Sequence, residues 1–156
     1  MKTEKDDGMP KEIRKIKTQS EKETIELGRS FSQELKAGET ISLEGDLGTG
    51  KTAFTKGIAS GLGIIKPITS PTFTLVNTYN GKVVLNHFDV YRIDDSEELL
   101  EIGWEEYFTD DSICIVEWGD RVLDILPQNT IRIRFERDDK EPDSRIISIE
   151  RQGMKC

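Results

Sequence analysis

Hydrophobic positions in the first part of the chain recur first at helical spacing and then in a short continuous run. Leucine and phenylalanine side chains at every fourth position predict a helix that begins at Ser20, forms a capping box with Glu23 and ends at Gly38. The run TISLE (40–44) then predicts a buried strand, and a second helix is predicted to end at one of the glycines in 61–63. This order of elements is typical of an α/β domain.

The rest of the chain alternates between strand-like patterns and one helical pattern. Asn80 and Gly81 form the pair that favours a two-residue turn, so the segments on either side predict a hairpin. The run SICIVEW is rich in β-branched residues and predicts a buried central strand. The predicted elements are a strand at 13–17, a hairpin over 73–88, a helix over 96–108 that is N-capped by Ser96 and interrupted by Gly103, the central strand at 112–118, and alternating strands at 131–136 and 145–150.

The length of 156 residues is that of a single domain. We predict one domain over 13–152, preceded by a charged and flexible tail over 1–12. The formal net charge of −8 argues against a protein that holds nucleic acid by general electrostatic attraction. The basic residues of 11–17 are therefore interpreted as a solvated edge rather than an RNA contact.

The sequence also predicts where the protein works. No apolar run approaches the ~20 residues that a membrane helix needs, and the N-terminal residues lack the apolar core of a signal peptide. We expect a cytoplasmic protein with no membrane association. Cys114 and Cys156 do not have the spacing of metal ligands, so we expect a reduced buried thiol and a chain end.

The stretch GDLGTGKT fits the phosphate-binding pattern G-x-x-x-x-G-K-[ST] in full. Glycines let the backbone curl so that several N–H groups converge on a phosphate, and the following helix adds its own N-terminal N–H groups. Lys51 is expected to reach the β- and γ-phosphates, and the Thr52 hydroxyl to bind Mg²⁺. The residues of this loop expected to bind the nucleotide are Gly45, Asp46, Leu47, Gly48, Thr49, Gly50, Lys51 and Thr52.

Acidic residues near two other strands suit such a site. Glu117 closes the predicted central strand and is a candidate for holding Mg²⁺ or positioning the attacking water, the alternative being an acid that only caps a strand. In NHFDVYR, alternation puts His87, Asp89 and Tyr91 on one face, which is either a functional face or an exposed face of the sheet. The hydroxyl-rich segment 70–74 is either a loop that senses the γ-phosphate or a plain turn.

The nucleotide base is inferred from a missing motif. GTP-binding domains usually read guanine with an Asn-Lys-x-Asp stretch, which this sequence lacks, so ATP is favoured. Hydrolysis also needs positive charge on the transferring phosphoryl group beyond that of Lys51. Arg92 is a candidate for that donor within the chain, and a partner protein is the alternative source.

The segments GDLGTGKT, SPTFTLVNTY, HFDVYR and IVEW, in this order and at these distances, resemble the TsaE (formerly YjeE) family. These are small bacterial P-loop ATPases required for threonylcarbamoyladenosine (t6A) formation in tRNA. The resemblance runs from about Ser20 to Pro127. The phosphate-binding motif alone is shared by many families, but its combination with the other three segments is specific.

The resemblance implies a P-loop NTPase fold with a mostly parallel central sheet, flanking helices and a β-hairpin insertion. It implies Mg²⁺ held by Thr52 and Glu117, and Trp118 beside the nucleotide or a partner surface. It also makes 70–74 a mobile switch. The catalytic residues expected on this basis are Lys51, Asp89 and Glu117.

Partner proteins are implied as well. The chain would bind a heterodimer of TsaD and TsaB, in which TsaD transfers the threonylcarbamoyl group to adenosine 37 of tRNA. Hydrolysis of ATP by this chain would reset the complex between turnovers, and contact with tRNA would be indirect. The acidic composition agrees with a regulator rather than a transferase, so we expect slow hydrolysis by the isolated protein that partners change.

Two other functions use the same phosphate-binding motif. A small-molecule kinase usually carries an arginine-rich lid, whereas the late loop RFERDDKEPDSR is acidic. A nucleotide-sensing module would bind ATP and switch its loops without cleaving the nucleotide. Replacing Glu117 by Ala would separate the sensing module from the ATPase, because only the ATPase depends on hydrolysis.

Overall fold

A computed structural model describes residues 11–71 and 74–152 of the chain. The strands are β1 (Lys11–Thr18), β2 (Thr40–Glu44), β3 (Val76–Asn80), β4 (Val84–Asp89), β5 (Ser112–Glu117), β6 (Ile131–Arg137) and β7 (Arg145–Gln152). The helices are α1 (Glu21–Ser32), α2 (Lys51–Gly61) and α3 (Glu97–Glu101), with 3₁₀ segments at Trp104–Tyr107 and Gly119–Ile125.

The strands form one sheet in the order β1-β7-β6-β2-β5-β4-β3. Its four central strands, β6, β2, β5 and β4, are parallel, and the antiparallel pairs lie towards the two edges. Every residue of β2 and β5 is buried, as expected for central parallel strands whose two faces are both covered. The predicted α/β class is confirmed, and the β3–β4 hairpin extends the sheet because β4 pairs with β5.

The predicted domain boundary differs slightly from the start of β1. This strand begins at Lys11, whereas the domain was predicted to begin at residue 13. The rest of the predicted tail, 1–10, lies outside the described residues.

Helix α1 begins as predicted but ends earlier. The Glu23 N–H donates to Ser20 Oγ over 3.1 Å, which confirms the capping pair. The helix ends at Ser32 rather than at Gly38, because the next residues close into tighter i→i+3 turns. Gly38 does adopt a left-handed conformation, with φ of +96°, but it lies in a separate turn after the helix. The Gly38 N–H donates to Ser112 O.

Helix α2 packs on α1 at very short range, and glycine makes this approach possible. A Cβ added to Gly57 would lie 2.0 Å from the carbonyl oxygen of Ile25. A Cβ added to Gly28, on the facing helix, would lie 2.3 Å from the carbonyl oxygen of Phe54. The end of α2 at Gly61 agrees with the prediction. The close contact fixes the direction of α2 and therefore the position of its N-terminus.

The hairpin turn is longer than predicted. Asn80 pairs with Val84, so three residues connect the strands instead of a two-residue turn centred on Asn80 and Gly81. The Lys82 N–H donates to Leu62 O over 2.8 Å, so the turn docks on the end of α2. This tertiary contact replaces the turn that the local sequence favours.

The helical prediction over 96–108 is confirmed in outline. Gly103, with φ of +85°, separates α3 from the first 3₁₀ segment as predicted. Ser96 occupies the N-cap position of α3, but its hydroxyl donates to Asp124 instead of capping the helix. The predicted N-cap residue is therefore confirmed by its position, although its side chain makes no capping hydrogen bond.

Side chains alternate along each strand, so the two faces of the sheet carry separate hydrophobic clusters. Helices α1 and α2 pack on one face, against residues such as Leu43 and Ile115. The other face contains Phe88 and Val116 and is covered by α3 and the 3₁₀ segments. His87 alternates with Phe88 and therefore lies on the α2 face, where it is fully buried.

The described helices and Cys114 can be compared with two further predictions from the sequence. Within the part of the chain that the structure describes, no helix has the length and apolar character to cross a bilayer. Cys114 is a free thiol buried in β5, as predicted, and burial raises its pKa to about 11. Cys156 lies outside the described residues.

Candidate functional site

The loop from Gly45 to Gly50 joins β2 to α2, and its conformation depends on glycine. Gly45 has φ of +142°, and a Cβ there would lie 2.5 Å from the carbonyl oxygen of Phe135. Gly50 has φ of +109° and forms the N-cap of α2. Another residue type would be strained at both positions. The loop therefore curls directly before the free N–H groups of a helix N-terminus.

Lys51 points back into this loop. Its side-chain ammonium donates to the carbonyl oxygens of Gly45 and Asp46, and Nζ lies 4.1 Å from the centre of the Trp118 ring. Burial lowers the pKa of Lys51, against the opposing effect of nearby carboxylates, chiefly that of Glu117. Anionic oxygens would bind this ammonium better than two neutral carbonyl groups do.

Thr52 and Glu117 meet at the carboxyl end of the parallel strands. The Thr52 Oγ1 atom lies 3.5 Å from Glu117 Oε1. The other carboxylate oxygen of Glu117, Oε2, lies 2.6 Å from His87 Nε2. Glu117 is only 3% exposed. The sequence predicted this pairing of a hydroxyl with an acid, and β2 and β5 bring the two residues together because they are adjacent and parallel.

Asp89 is paired with Glu117 across β4 and β5. Its Oδ1 accepts the backbone N–H of Tyr91 over 3.0 Å. Burial raises the pKa of Asp89, and the charge of Glu117 acts in the same direction. The predicted shared face is confirmed for His87 and Asp89, whereas Tyr91 lies past the end of β4 and is 38% exposed.

Trp118 turns the chain sharply after β5. Its φ of +67° is unusual for a residue with a bulky side chain. The Trp118 N–H donates to Leu43 O over 2.8 Å, which continues the β2–β5 ladder past Glu117. The ring then lies over Lys51 and packs against Tyr91 at 4.7 Å, with Arg121 beside both rings.

A cavity of about 480 Å³ lies in front of these groups. This size is within the range of small-molecule sites. The cavity is lined by Gln19, Ser20, Glu21, Thr24, Leu47, Gly48, Gly50, Lys51, Thr52, Ala53, Ser70, Asp89, Glu117, Trp118, Asp143 and Arg145.

One end of this cavity was missed by sequence reasoning. Gln19 and Ser20 precede α1, and Asp143 and Arg145 come from the loop and strand at the end of the chain. The Arg145 guanidinium donates to Gly48 O over 3.1 Å. Arg92, the arginine proposed from the sequence, is exposed and is not a lining residue. No local motif marks Arg145, because its position depends on the pairing of β7 with β6.

The predicted switch segment 70–74 is only partly described. Ser70 lines the cavity, whereas residues 72–73 lie outside the described residues. Leu75, which follows the segment, has φ of +68°. Asn77 on β3 donates to Thr69 O over 3.1 Å, so the start of the segment is tied to the hairpin.

The described side chains include two candidate oxygen ligands for a metal ion, Thr52 and Glu117. Residues 11–71 and 74–152 contain no cluster of three or more His, Cys, Asp or Glu side chains with the geometry to hold a metal ion. Mg²⁺ commonly takes one or two protein oxygens and completes its shell with water and substrate phosphates. The hydroxyl of Thr52 and the carboxylate of Glu117 fit that kind of site.

Comparison with known proteins agrees with this geometry. The model of a family described as "Threonylcarbamoyl adenosine biosynthesis protein TsaE" matches residues 18–147. A TsaE protein from Bacillus subtilis (strain 168) is 42% identical over 145 residues, which cover 91% of this chain and 90% of that protein. One from Treponema pallidum (strain Nichols) is 42% identical over 116 residues, with coverage of 74% and 86%.

A solved structure gives the same result for the fold. The crystal structure of YdiB from Bacillus subtilis superimposes with a TM-score of 0.76 and 37% sequence identity, covering 92% of this chain and 88% of that one. The family match spans the phosphate-binding loop, the β3–β4 hairpin and Glu117, which are the elements that form the site. The chain belongs to the TsaE family.

Proposed function

We propose that this chain binds ATP with Mg²⁺ in the cavity in front of α2 and hydrolyses it slowly in support of t6A formation in tRNA. The observation that carries the proposal is the convergence of Lys51, Thr52 and Glu117 at the mouth of the glycine loop. The membership of the chain in the TsaE family supports the pathway, because its relatives are named for threonylcarbamoyladenosine biosynthesis.

The phosphates would occupy the loop between Gly45 and Thr52. Backbone N–H groups at the start of α2 are free to donate, and the helix dipole favours an anion there. Lys51 would exchange the carbonyl oxygens of Gly45 and Asp46 for phosphate oxygens. Trp118 lines the same cavity, and its ring lies 4.1 Å from the Lys51 ammonium, so we propose it as a nucleotide-contact residue in addition to those of the loop.

Mg²⁺ would be held by Thr52 Oγ1 and the Glu117 carboxylate. Held by these two groups, Mg²⁺ would supply positive charge that offsets the negative charge of the phosphates. Asp89 lies beside Glu117 in a half-buried position that raises its pKa, which suits a group that orients or accepts a proton from water. The nucleoside would extend towards Gln19 and Arg145 at the other end of the cavity.

The cellular role that we propose is regulatory. The chain would act with TsaD and TsaB, and hydrolysis of ATP would restore that complex for the next turnover. The cavity volume of about 480 Å³ is within the range of a site for one small molecule. We propose tRNA contact only through the complex, and a cytoplasmic location because tRNA modification takes place there.

Calorimetric titration with ATP and Mg²⁺ tests the nucleotide site. Lys51→Ala should weaken binding about 10- to 100-fold, because charge-assisted hydrogen bonds to phosphate are lost. Lys56→Ala is the matched control, since Lys56 lies on the exposed side of the same helix. Equal affinities for wild type and Lys51→Ala would contradict the proposed site.

The sensing-module alternative is tested by a second variant. Glu117→Gln should abolish hydrolysis while leaving nucleotide binding measurable. If t6A formation continues at the wild-type rate without hydrolysis, the chain acts as a sensor and the ATPase proposal fails. If t6A formation stops after the first cycles, hydrolysis is required.

A further inference from the structure

His87 is the most deeply buried ionisable side chain beside the proposed metal site. It is 0% exposed, and its Nε2 lies 2.6 Å from Glu117 Oε2. Its other ring nitrogen, Nδ1, is buried and has no hydrogen-bond partner among the described residues. Nothing in the proposed binding of ATP uses this residue directly.

The contact with His87 gives the two oxygens of the Glu117 carboxylate different partners. Oε2 is occupied by His87, and Oε1 faces the Thr52 hydroxyl at 3.5 Å. A carboxylate with one oxygen fixed cannot rotate freely about its last bond. The oxygen that remains is therefore held towards the site where Mg²⁺ would bind.

We propose that His87 is a positioning residue that donates its Nε2–H to Glu117 Oε2 and thereby aims Oε1 at the metal site beside Thr52. The proposal rests on the proposed function, because the metal-binding role of Glu117 is part of it. Groups that orient metal ligands in this way commonly change metal affinity by about 10- to 100-fold when removed.

The unpartnered Nδ1 atom indicates which form of the ring is present. His87 is paired with Asn77 on β3 and with Ile115 on β5. The Asn77 amide donates to Thr69 O and to the Tyr79 hydroxyl, and Ile115 is apolar. A proton on Nδ1 would therefore be a buried donor without an acceptor. This arrangement costs more free energy than an unprotonated Nδ1, which is an acceptor without a partner. A proton on Nε2, donated to Glu117 Oε2, agrees with both observations.

The first test determines which ring nitrogen of His87 carries a proton. His87 is the single histidine of the chain, so its ring signals are unambiguous in a long-range ¹H–¹⁵N correlation spectrum. The nucleotide-free protein should show a proton on Nε2. A ring protonated at Nδ1 alone would overturn the proposal, since Nε2 could not then donate to Glu117.

The second test measures metal binding with Mn²⁺ as the probe, by electron paramagnetic resonance, in the presence of ADP. His87→Leu should weaken Mn²⁺ binding by about 10-fold or more. His87→Gln should restore most of the affinity, because its amide nitrogen takes a place similar to that of Nε2. Affinity for ADP in the presence of EDTA should be unchanged in both variants, which shows that the fold and the phosphate loop are intact.

The outcomes separate this inference from the proposed function. Equal weakening by Leu and Gln would mean that His87 only fills space, and unchanged Mn²⁺ affinity in His87→Leu would mean that it does not position Glu117. Either result overturns the inference while nucleotide binding stands. A wild-type protein that binds neither ADP nor ATP would overturn the proposed function and the inference with it.

Discussion

At the scale of single residues, the site contains two ionisable side chains, Asp89 and Lys51, whose charged forms are disfavoured by burial. Asp89 is half-buried, and burial raises its pKa above the ordinary value of 3.8. Lys51 is 5% exposed, and burial lowers its pKa. Such opposed shifts are typical of groups whose charge serves a ligand or a reaction rather than stability.

Asp89→Asn tests the part that this carboxylate has in hydrolysis. The amide can still accept the Tyr91 N–H, so the local backbone should be retained. ATP hydrolysis should fall by about 100-fold or more, because a carboxylate that orients or accepts a proton is lost. The melting temperature of the nucleotide-free protein at pH 7 should be equal to or higher than that of wild type.

The pH dependence has a definite sign. A raised pKa means that folded Asp89 keeps a proton over a window above pH 3.8 in which the unfolded chain has released it. This contribution to stability is therefore fully present at low pH and is lost as the pH rises through the folded pKa. Asp89→Asn should lack that loss, and a melting series from pH 4 to pH 7 compares the two proteins. A variant that loses more stability than wild type as the pH rises would contradict this account.

At the scale of elements, the phosphate loop depends on how α2 is held. Two glycines let α2 approach α1 to backbone contact, and the N-terminus of α2 carries Lys51 and Thr52. The apolar pattern predicted both helices and the capping pair also predicted the start of α1, because those signals are local. The three-residue hairpin turn could not be predicted, because the long-range hydrogen bond to Leu62 O helps to set it, and the end of α1 at Ser32 carries no glycine signal that local patterns could use.

Gly57→Ala tests the close contact between α1 and α2. The new Cβ would lie 2.0 Å from the Ile25 carbonyl oxygen, so the two helices must move apart. We expect a loss of about 1–3 kcal/mol in the free energy of unfolding, measured by urea denaturation. Ser60→Ala, on the exposed side of α2, is the control and should stay within about 0.5 kcal/mol of wild type. A Gly57→Ala protein as stable as wild type would show that the helix contact is not rigid.

At the scale of the whole molecule, the parallel centre of the sheet assembles the site from distant parts of the chain. The motifs on β2, β4 and β5 could be read from the sequence because each marks the end of a strand, and parallel strands end at the same edge. Arg145 and Asp143 could not, because they reach the cavity only through the antiparallel edge that β7 forms with β6. A local pattern carries no information about that pairing.

The central claim is that hydrolysis of ATP at this site sustains t6A formation. The most direct measurement is t6A produced over many cycles by TsaD, TsaB and the enzyme that makes threonylcarbamoyl-adenylate. Wild type, Lys51→Ala and the control Lys56→Ala are each added in turn. We predict that wild type and Lys56→Ala sustain repeated turnover, whereas Lys51→Ala stalls after about one cycle, because it cannot hold the phosphates. Equal t6A yields with wild type, with Lys51→Ala and without the protein would contradict the account.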